Sequence, residues 1–353
     1  MFLVGPSRSG TELMRAVLNR HPRLRIAPET HYFDDLRPRL TDAEVLTPSP
    51  ENREQVLAYF GRLNGAIYGL DRQPTGTADL AFLERLNSTA LAMDPGPDAI
   101  FAAFCQTCDI DRTKVQGTGR IWGEKTPRHI FSAAPIFTTF PNARMIVMVR
   151  DPRGVVASYR DWNNRWSAEQ GATGALTTEA KAEVRRVRWS YSLTLSVLLW
   201  RSAISTGLSL LRTYGRDRVM LVKFEDLISS SSSVTGQVCD FLGIAPDAGM
   251  RQVAVRNSSY LKDDSRSGFV VEAAMRWRAV LSDAEIKHIE RVAGNSMTVL
   301  GYAPHGKGAH ILFSLREFAG LAVTLPRALW ANVHRIGNLR LYLTARLSGL
   351  LRR

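Results

Sequence analysis

Met1-Phe-Leu-Val-Gly5-Pro-Ser-Arg8-Ser-Gly10-Thr11-Glu-Leu-Met14 reads as a strand, a glycine-bounded loop and the start of a helix. Three apolar residues make a short buried strand that Gly5 ends. Glu12-Leu-Met-Arg-Ala-Val-Leu18 then combines good helix formers with apolar positions at helical spacing. Amide groups at a helix start have no intrahelical partner, and the helix dipole adds to their pull on an anion. Arg8 places a permanent, forked cation inside the loop.

The spacing from Gly5 to Gly10 matches the first half of a nucleotide-binding P-loop. Thr11-Glu12 stands where a nucleotide hydrolase carries Lys and Ser/Thr, so the γ-phosphate lysine and the magnesium-binding hydroxyl are both missing. The loop is expected to hold an anion without metal-assisted phosphoryl transfer. Glu12 would repel a phosphate chain if it pointed inward, so it is expected to face solvent.

Working outward, His21-Pro22 stops the first helix, Leu24–Ile26 fits a second strand, and Pro28 turns the chain just before Glu29. Parallel strands bring their ends to one edge, which puts Glu29 near the Arg8 loop. A carboxylate beside an anion site hinders binding, and so points to a base; its bland roles are a helix cap or an Arg8 ion pair. Arg120-Ile-Trp-Gly123-Glu124-Lys125-Thr126-Pro127 is a third strand with Lys125 at its tip, a second cation on that edge. Met145-Ile-Val-Met-Val149 is apolar throughout and is expected to be buried on both faces. Arg150-Asp151-Pro152-Arg153 follows it, then a helix carrying Ser158, so Arg150 and Ser158 can face a second anion. The ordinary alternative is an Arg150 ion pair with Asp151 or Asp161.

Helical patches are expected near 51–63, 79–92 and 98–108, a long helical region over 178–213, a last strand over 218–223, and a helix over 283–299. That last helix opens on the capping box Ser282-Asp-Ala-Glu285. Ser229–Ser233 is read as a loop or helix start. Arg256–Gly268 is polar and is expected to form a loop able to close over a ligand.

The 353 residues suffice for one large α/β domain with an appendage. Net charge is +13, but residues 305–353 hold eight Lys/Arg against Glu317 alone and supply +7 of it. The remaining body is mildly basic, which argues against a nucleic-acid groove. Cys105, Cys108 and Cys239 are too few for a disulfide framework, and Cys105-x-x-Cys108 has no second pair for zinc; both read as packing residues. A strand starting at residue 2 leaves no signal peptide, and no apolar run reaches transmembrane length. The expectation is a cytoplasmic chain, free or peripheral at a membrane. His310–Leu315 and Leu321–Leu351 read as an amphipathic basic helix, which suits either contact of 310–353 with an anionic membrane or a terminal helix packed on the body with its arginines solvated.

Taken in order, Gly5-Pro-Ser-Arg-Ser-Gly-Thr11, Pro28-Glu-Thr30, Trp122-Gly-Glu-Lys-Thr-Pro127, Val149-Arg-Asp-Pro-Arg153 with Ser158, Phe224-Glu-Asp-Leu227, Phe241-Leu-Gly243 and Arg276-Trp-Arg278 resemble the PAPS-dependent sulfotransferases, notably the bacterial and tyrosylprotein branch. The resemblance implies an α/β, P-loop-like fold: a central parallel sheet flanked by helices over 1–304, with 32–120 as an acceptor-side insertion and 305–353 as a helical basic tail. It implies that Pro6, Ser7, Arg8, Ser9, Gly10, Thr11 and Glu12 cradle the 5′-phosphosulfate of PAPS, and that Arg150 and Ser158 bind its 3′-phosphate. Arg266 and Arg276 would cover the nucleotide, with Glu29 as catalytic base and Arg8 and Lys125 as catalytic cations. No metal is implied. The sequence departs from the pattern at Glu12, where many members have Thr, and at Phe224, where Tyr is frequent. The implied activity is sulfuryl transfer to a hydroxyl of a carbohydrate, lipid, small molecule or peptide. The rival is a non-catalytic nucleotide-binding or membrane-docking protein on the same fold.

Overall fold

The computed structural model describes residues 1–65, 80–108, 120–161, 189, 191–253, 268–332 and 343–344. Strands β1 (Phe2–Val4) and β2 (Leu24–Ala27) flank helix α1 (Thr11–Arg20). Helices α2 (Pro50–Gly65), α3 (Leu80–Leu91) and α4 (Pro97–Thr107) come before β3 (Ile121–Lys125) and β4 (Met145–Val149). Helix α5 covers 152–161. After it come α6 (Leu193–Tyr214), β5 (Val219–Lys223), α7 (Phe224–Ser229), α8 (Ser231–Leu242), α9 (Asp283–Ala293) and α10 (Ile311–Asn332).

The five strands form one parallel sheet in the order β2-β3-β1-β4-β5. The chain leaves β1 toward one side for β2 and β3 and crosses to the other for β4 and β5. The crevice beyond the carboxyl end of β1 is therefore a topological switch point, where ligands bind in such sheets. Period-two alternation explains the two cores. Phe2 and Val4 of β1, with Met145, Val147 and Val149 of β4, face a cluster holding Tyr32, Phe60, Phe101 and Trp200. Leu3, Ile146 and Met148 face the opposite side, with Met14, Leu18 and Val222. Burial of every β4 residue matches the apolar run in the sequence.

Close strand packing fixes two glycines. A Cβ on Gly5, at φ 137°, would lie 2.3 Å from the Met148 carbonyl oxygen; one on Gly123 would lie 2.7 Å from that of Met1. All three cysteines are buried and in no disulfide, and Phe101, Phe104 and Cys105 form the inner face of α4, as their spacing predicts.

Three expectations need correction. The 178–213 region is not one helix: residues 191–192 are non-helical, and Ser192 caps α6 by accepting from the Leu195 amide. The 283–299 helix has its capping box but breaks at Gly294 (φ 55°), and a short turn over Asn295–Val299 follows. Helix α6 also has the length and hydropathy of a membrane span, although its interspersed Ser, Thr and Arg residues hide this in the sequence. It serves as a core helix, with Val197, Trp200, Ala203 and Ile204 buried and the Trp200 indole donating to the Arg150 carbonyl at 2.8 Å.

Candidate active site

The loop after β1 is built from unusual backbone. Arg8 (φ 67°) and Gly10 (φ 85°) are both left-handed, and a Cβ on Gly10 would come within 2.4 Å of the Phe224 ring. Helix α1 starts at Gly10 with no side-chain cap, so no side chain of the loop competes for its first amides. Gly10, Thr11, Glu12 and Leu13 line a cleft at the carboxyl edge of the sheet. Ser7, Arg8, Glu29, Lys125, Arg150 and Ser158 line it too.

One end of this cleft is cationic. Arg8 Nε donates to Ser158 Oγ at 3.2 Å, and Arg150 donates to the Arg8 carbonyl at 3.1 Å and to the Ala273 carbonyl at 3.1 Å. The Arg150 guanidinium lies 4.2 Å above the Phe224 ring, and its Nε is buried with no hydrogen-bond partner. Neither alternative ion pair of Arg150 forms: Asp151 takes Arg153, and Asp161 takes Arg276. A buried guanidinium with an unmet donor and no ion pair among the described residues is suited to an anionic ligand.

The other end is a row of alternating charges. Lys125 Nζ lies 2.6 Å from Glu29 Oε1 and 3.1 Å from Glu12 Oε2, while Glu29 Oε2 lies 3.2 Å from His31 Nε2. Burial would raise the Glu29 carboxyl, but Lys125 and His31 outweigh it and hold Glu29 well below the usual carboxylate range. Burial disfavours charged His31, yet Asp34 and Glu29 raise it to about 9. Lys125 is likewise raised, its burial more than offset by Glu29 and Glu12.

Behind this row Glu124 anchors the backbone. It is fully buried, and its Oε1 accepts from the Thr30 amide (2.9 Å), the Thr30 hydroxyl (3.0 Å) and the Thr126 hydroxyl. The Phe33 amide donates to His129 Nε2 at 3.2 Å, which leaves the ring proton on Nδ1 to bond Glu124 Oε2 at 3.0 Å. Adjacent residues of β3 thus point opposite ways, Glu124 into the fold and Lys125 into the cleft.

The cleft gathers most, not all, of the expected residues. Pro6 and Ser9 belong to the loop but do not line it; Ser9 Oγ is buried without a partner. Arg276 does not line the cleft either: its guanidinium bonds Asp161 at 2.8 Å. Arg266 lies outside the described residues. Gly268, Phe269, Val270 and Ala273 form the wall where those arginines were expected. Glu12 is 57% exposed, and its carboxylate also turns across the mouth to Lys125 and back to Arg15. The sequence reading missed His31 and Glu124, although both adjoin residues it singled out.

A model of the sulfotransferase family matches residues 1–248. The chain belongs to the sulfotransferase family. Among curated relatives, carbohydrate sulfotransferase 1 of Danio rerio is 30% identical over 176 residues, covering 46% of this chain and 38% of that protein. The nodulation protein NoeE of Sinorhizobium fredii is 24% identical over 317 residues, covering 85% of this chain and 65% of its own length. The protein-tyrosine sulfotransferase of Drosophila melanogaster is 24% identical over 315 residues, covering 86% and 52%. This family member therefore spans less than two thirds of these relatives' lengths. Among solved structures, the sulfotransferase domain of the Synechococcus PCC 7002 olefin synthase overlays with a TM-score of 0.49 at 18% identity, covering 86% of this chain and 94% of that one. Family membership rests on the match over 1–248.

Proposed function

We propose that this chain transfers a sulfuryl group from PAPS to the hydroxyl of an acceptor. The observation that carries the proposal is the single cleft joining a cationic end (Arg8, Arg150, Ser158) to the Glu29–Lys125 pair. The uncapped start of α1 and Arg8 would take the 5′-phosphosulfate, and the unmet Arg150 donor with Ser158 would take the 3′-phosphate. In the reaction the acceptor oxygen bonds to sulfur, and the bond from sulfur to the bridging phosphate oxygen breaks. The acceptor proton passes to Glu29 Oε, and adenosine 3′,5′-bisphosphate departs with the released negative charge. Arg8 and Lys125 stabilise charge on the sulfuryl and bridging oxygens. Acceptors named for the relatives include carbohydrate and protein tyrosine, and a hydroxyl is common to both.

Glu29→Gln tests the assignment, since it preserves shape while removing the base. Turnover with PAPS and a hydroxyl acceptor should fall about 100-fold or more. Calorimetric binding of adenosine 3′,5′-bisphosphate should persist. Undiminished turnover would remove Glu29 from the mechanism, and absence of product binding to the unmutated chain would sink the donor assignment.

A further inference from the structure

Helix α10 packs on the body by its less apolar side. Ser314 is buried and accepts from Arg291, which also donates to the Ala309 carbonyl at 2.7 Å. The His288 ring lies edge-on to Phe313 and Phe318, with centroids 6.0 and 5.3 Å away. Ile311, Leu312, Leu315, Val323 and Trp330 point away from the body and are 59–83% exposed. Their spacing, with Ala319, Ala322 and Pro326 between, puts them on one stripe about 28 Å long. A helix packed only to fill the fold would turn this stripe inward; here it is turned out.

The surrounding charge selects the occupant. Arg316 and Arg327 are exposed beside the stripe, whereas Glu317 lies toward the body. The sequence after the helix, 333–353, adds five arginines and no acidic residue. A second copy of this face would bring like charges together, while an anionic surface would be attracted. We infer that the outward face of α10 lies in the headgroup interface of an anionic membrane, its apolar stripe inserted and its arginines at the phosphates. Tryptophan at the far end of the stripe suits that boundary. The helix lies on the membrane and does not cross it, because Ser314 and its neighbours stay tied to Arg291 and His288. The inference is independent of the proposed chemistry.

Vesicle co-sedimentation of the full chain tests it, using phosphatidylcholine alone and phosphatidylcholine with about one third phosphatidylglycerol. The chain should bind the anionic vesicles, and L312E/L315E should bind them at least about tenfold more weakly. Both side chains are exposed, so the thermal midpoint should not move, which separates lost insertion from lost folding. Equal binding of the variant would assign the attraction to the arginines alone and overturn insertion. Absence of binding by the unmutated chain would overturn the inference outright. A stable dimer that L312E/L315E dissolves would make a second copy the occupant, and equally overturn it.

Discussion

Lys125 Nζ touches Glu29 Oε1 at 2.6 Å, so a buried cation of the cleft is bound to the carboxylate proposed as base. In that pairing Glu29 is a weak proton acceptor, because Lys125 and His31 outweigh the effect of its burial and hold its pKa low. An anion beside Lys125 would draw the ammonium's charge away and raise the basicity of Glu29. Donor binding and base strength would thus be coupled through one side chain.

Arg150 should matter for ligand more than for the sheet. Arg150→Ala should weaken adenosine 3′,5′-bisphosphate binding about 10- to 100-fold, as expected for a charged hydrogen-bond donor. Arg150→Lys should recover only part of this, since a compact ammonium does not reproduce the planar fork whose two arms bond the Arg8 and Ala273 carbonyls. Calorimetry on both variants gives the comparison, and equal affinity of the lysine variant and the unmutated chain would contradict it.

Glu12 competes with an anion for Lys125. Glu12→Thr should tighten adenosine 3′,5′-bisphosphate binding about two- to fivefold, a modest gain because the Glu12 carboxylate is largely exposed. The gain should shrink in high salt. Titrations at two ionic strengths test this; weaker binding by the variant would show that Glu12 aids the cleft.

His31 carries a pH signature. Its pKa is raised to about 9 in the folded chain, burial being outweighed by Asp34 and Glu29. A raised pKa stabilises the fold fully below about 6.5, and that contribution is lost as pH rises through about 9. The unmutated chain should exceed His31→Gln in stability by an amount on the order of 3 kcal/mol at pH 6, with little difference above pH 9. Denaturant melts across that range would measure the gap; a gap independent of pH would mean that His31 is not charged at its site.

Much of the architecture is carried by local signals. The β4 run, the glycine-bounded loop and the 282–285 capping box each act through neighbours in sequence, and each is legible there. So is the convergence of Arg8, Glu29, Lys125 and Arg150, because parallel strands bring their carboxyl ends to one edge. What escaped depends on contacts between distant segments. Glu124 reads as the ordinary neighbour of Lys125 until the fold brings Thr30 and His129 to it. Arg276 reads in sequence as a ligand cation, whereas in the fold Asp161 holds it, and the wall at Phe269–Ala273 is apolar, so nothing in its chemistry marks it. The outward turn of α10 was equally hidden, since an apolar stripe in sequence does not say which side it faces.

The Glu124 anchor has a further consequence. Glu29 is fixed by the end of β3, through the Thr30 amide behind it and the Lys125 ammonium beside it. The segment that follows β2 adds His31 on the other Glu29 oxygen at 3.2 Å and the Tyr59 hydroxyl on the Thr30 carbonyl, whereas no described residue beyond Tyr59 in that segment bonds Glu29 or Thr30. The stretch beyond Tyr59 can therefore be rewritten with the carboxylate proposed as base left in place. A frame of this kind separates the chemistry from the choice of what is modified, and would let one scaffold be re-addressed to new targets by exchanging a single stretch of chain.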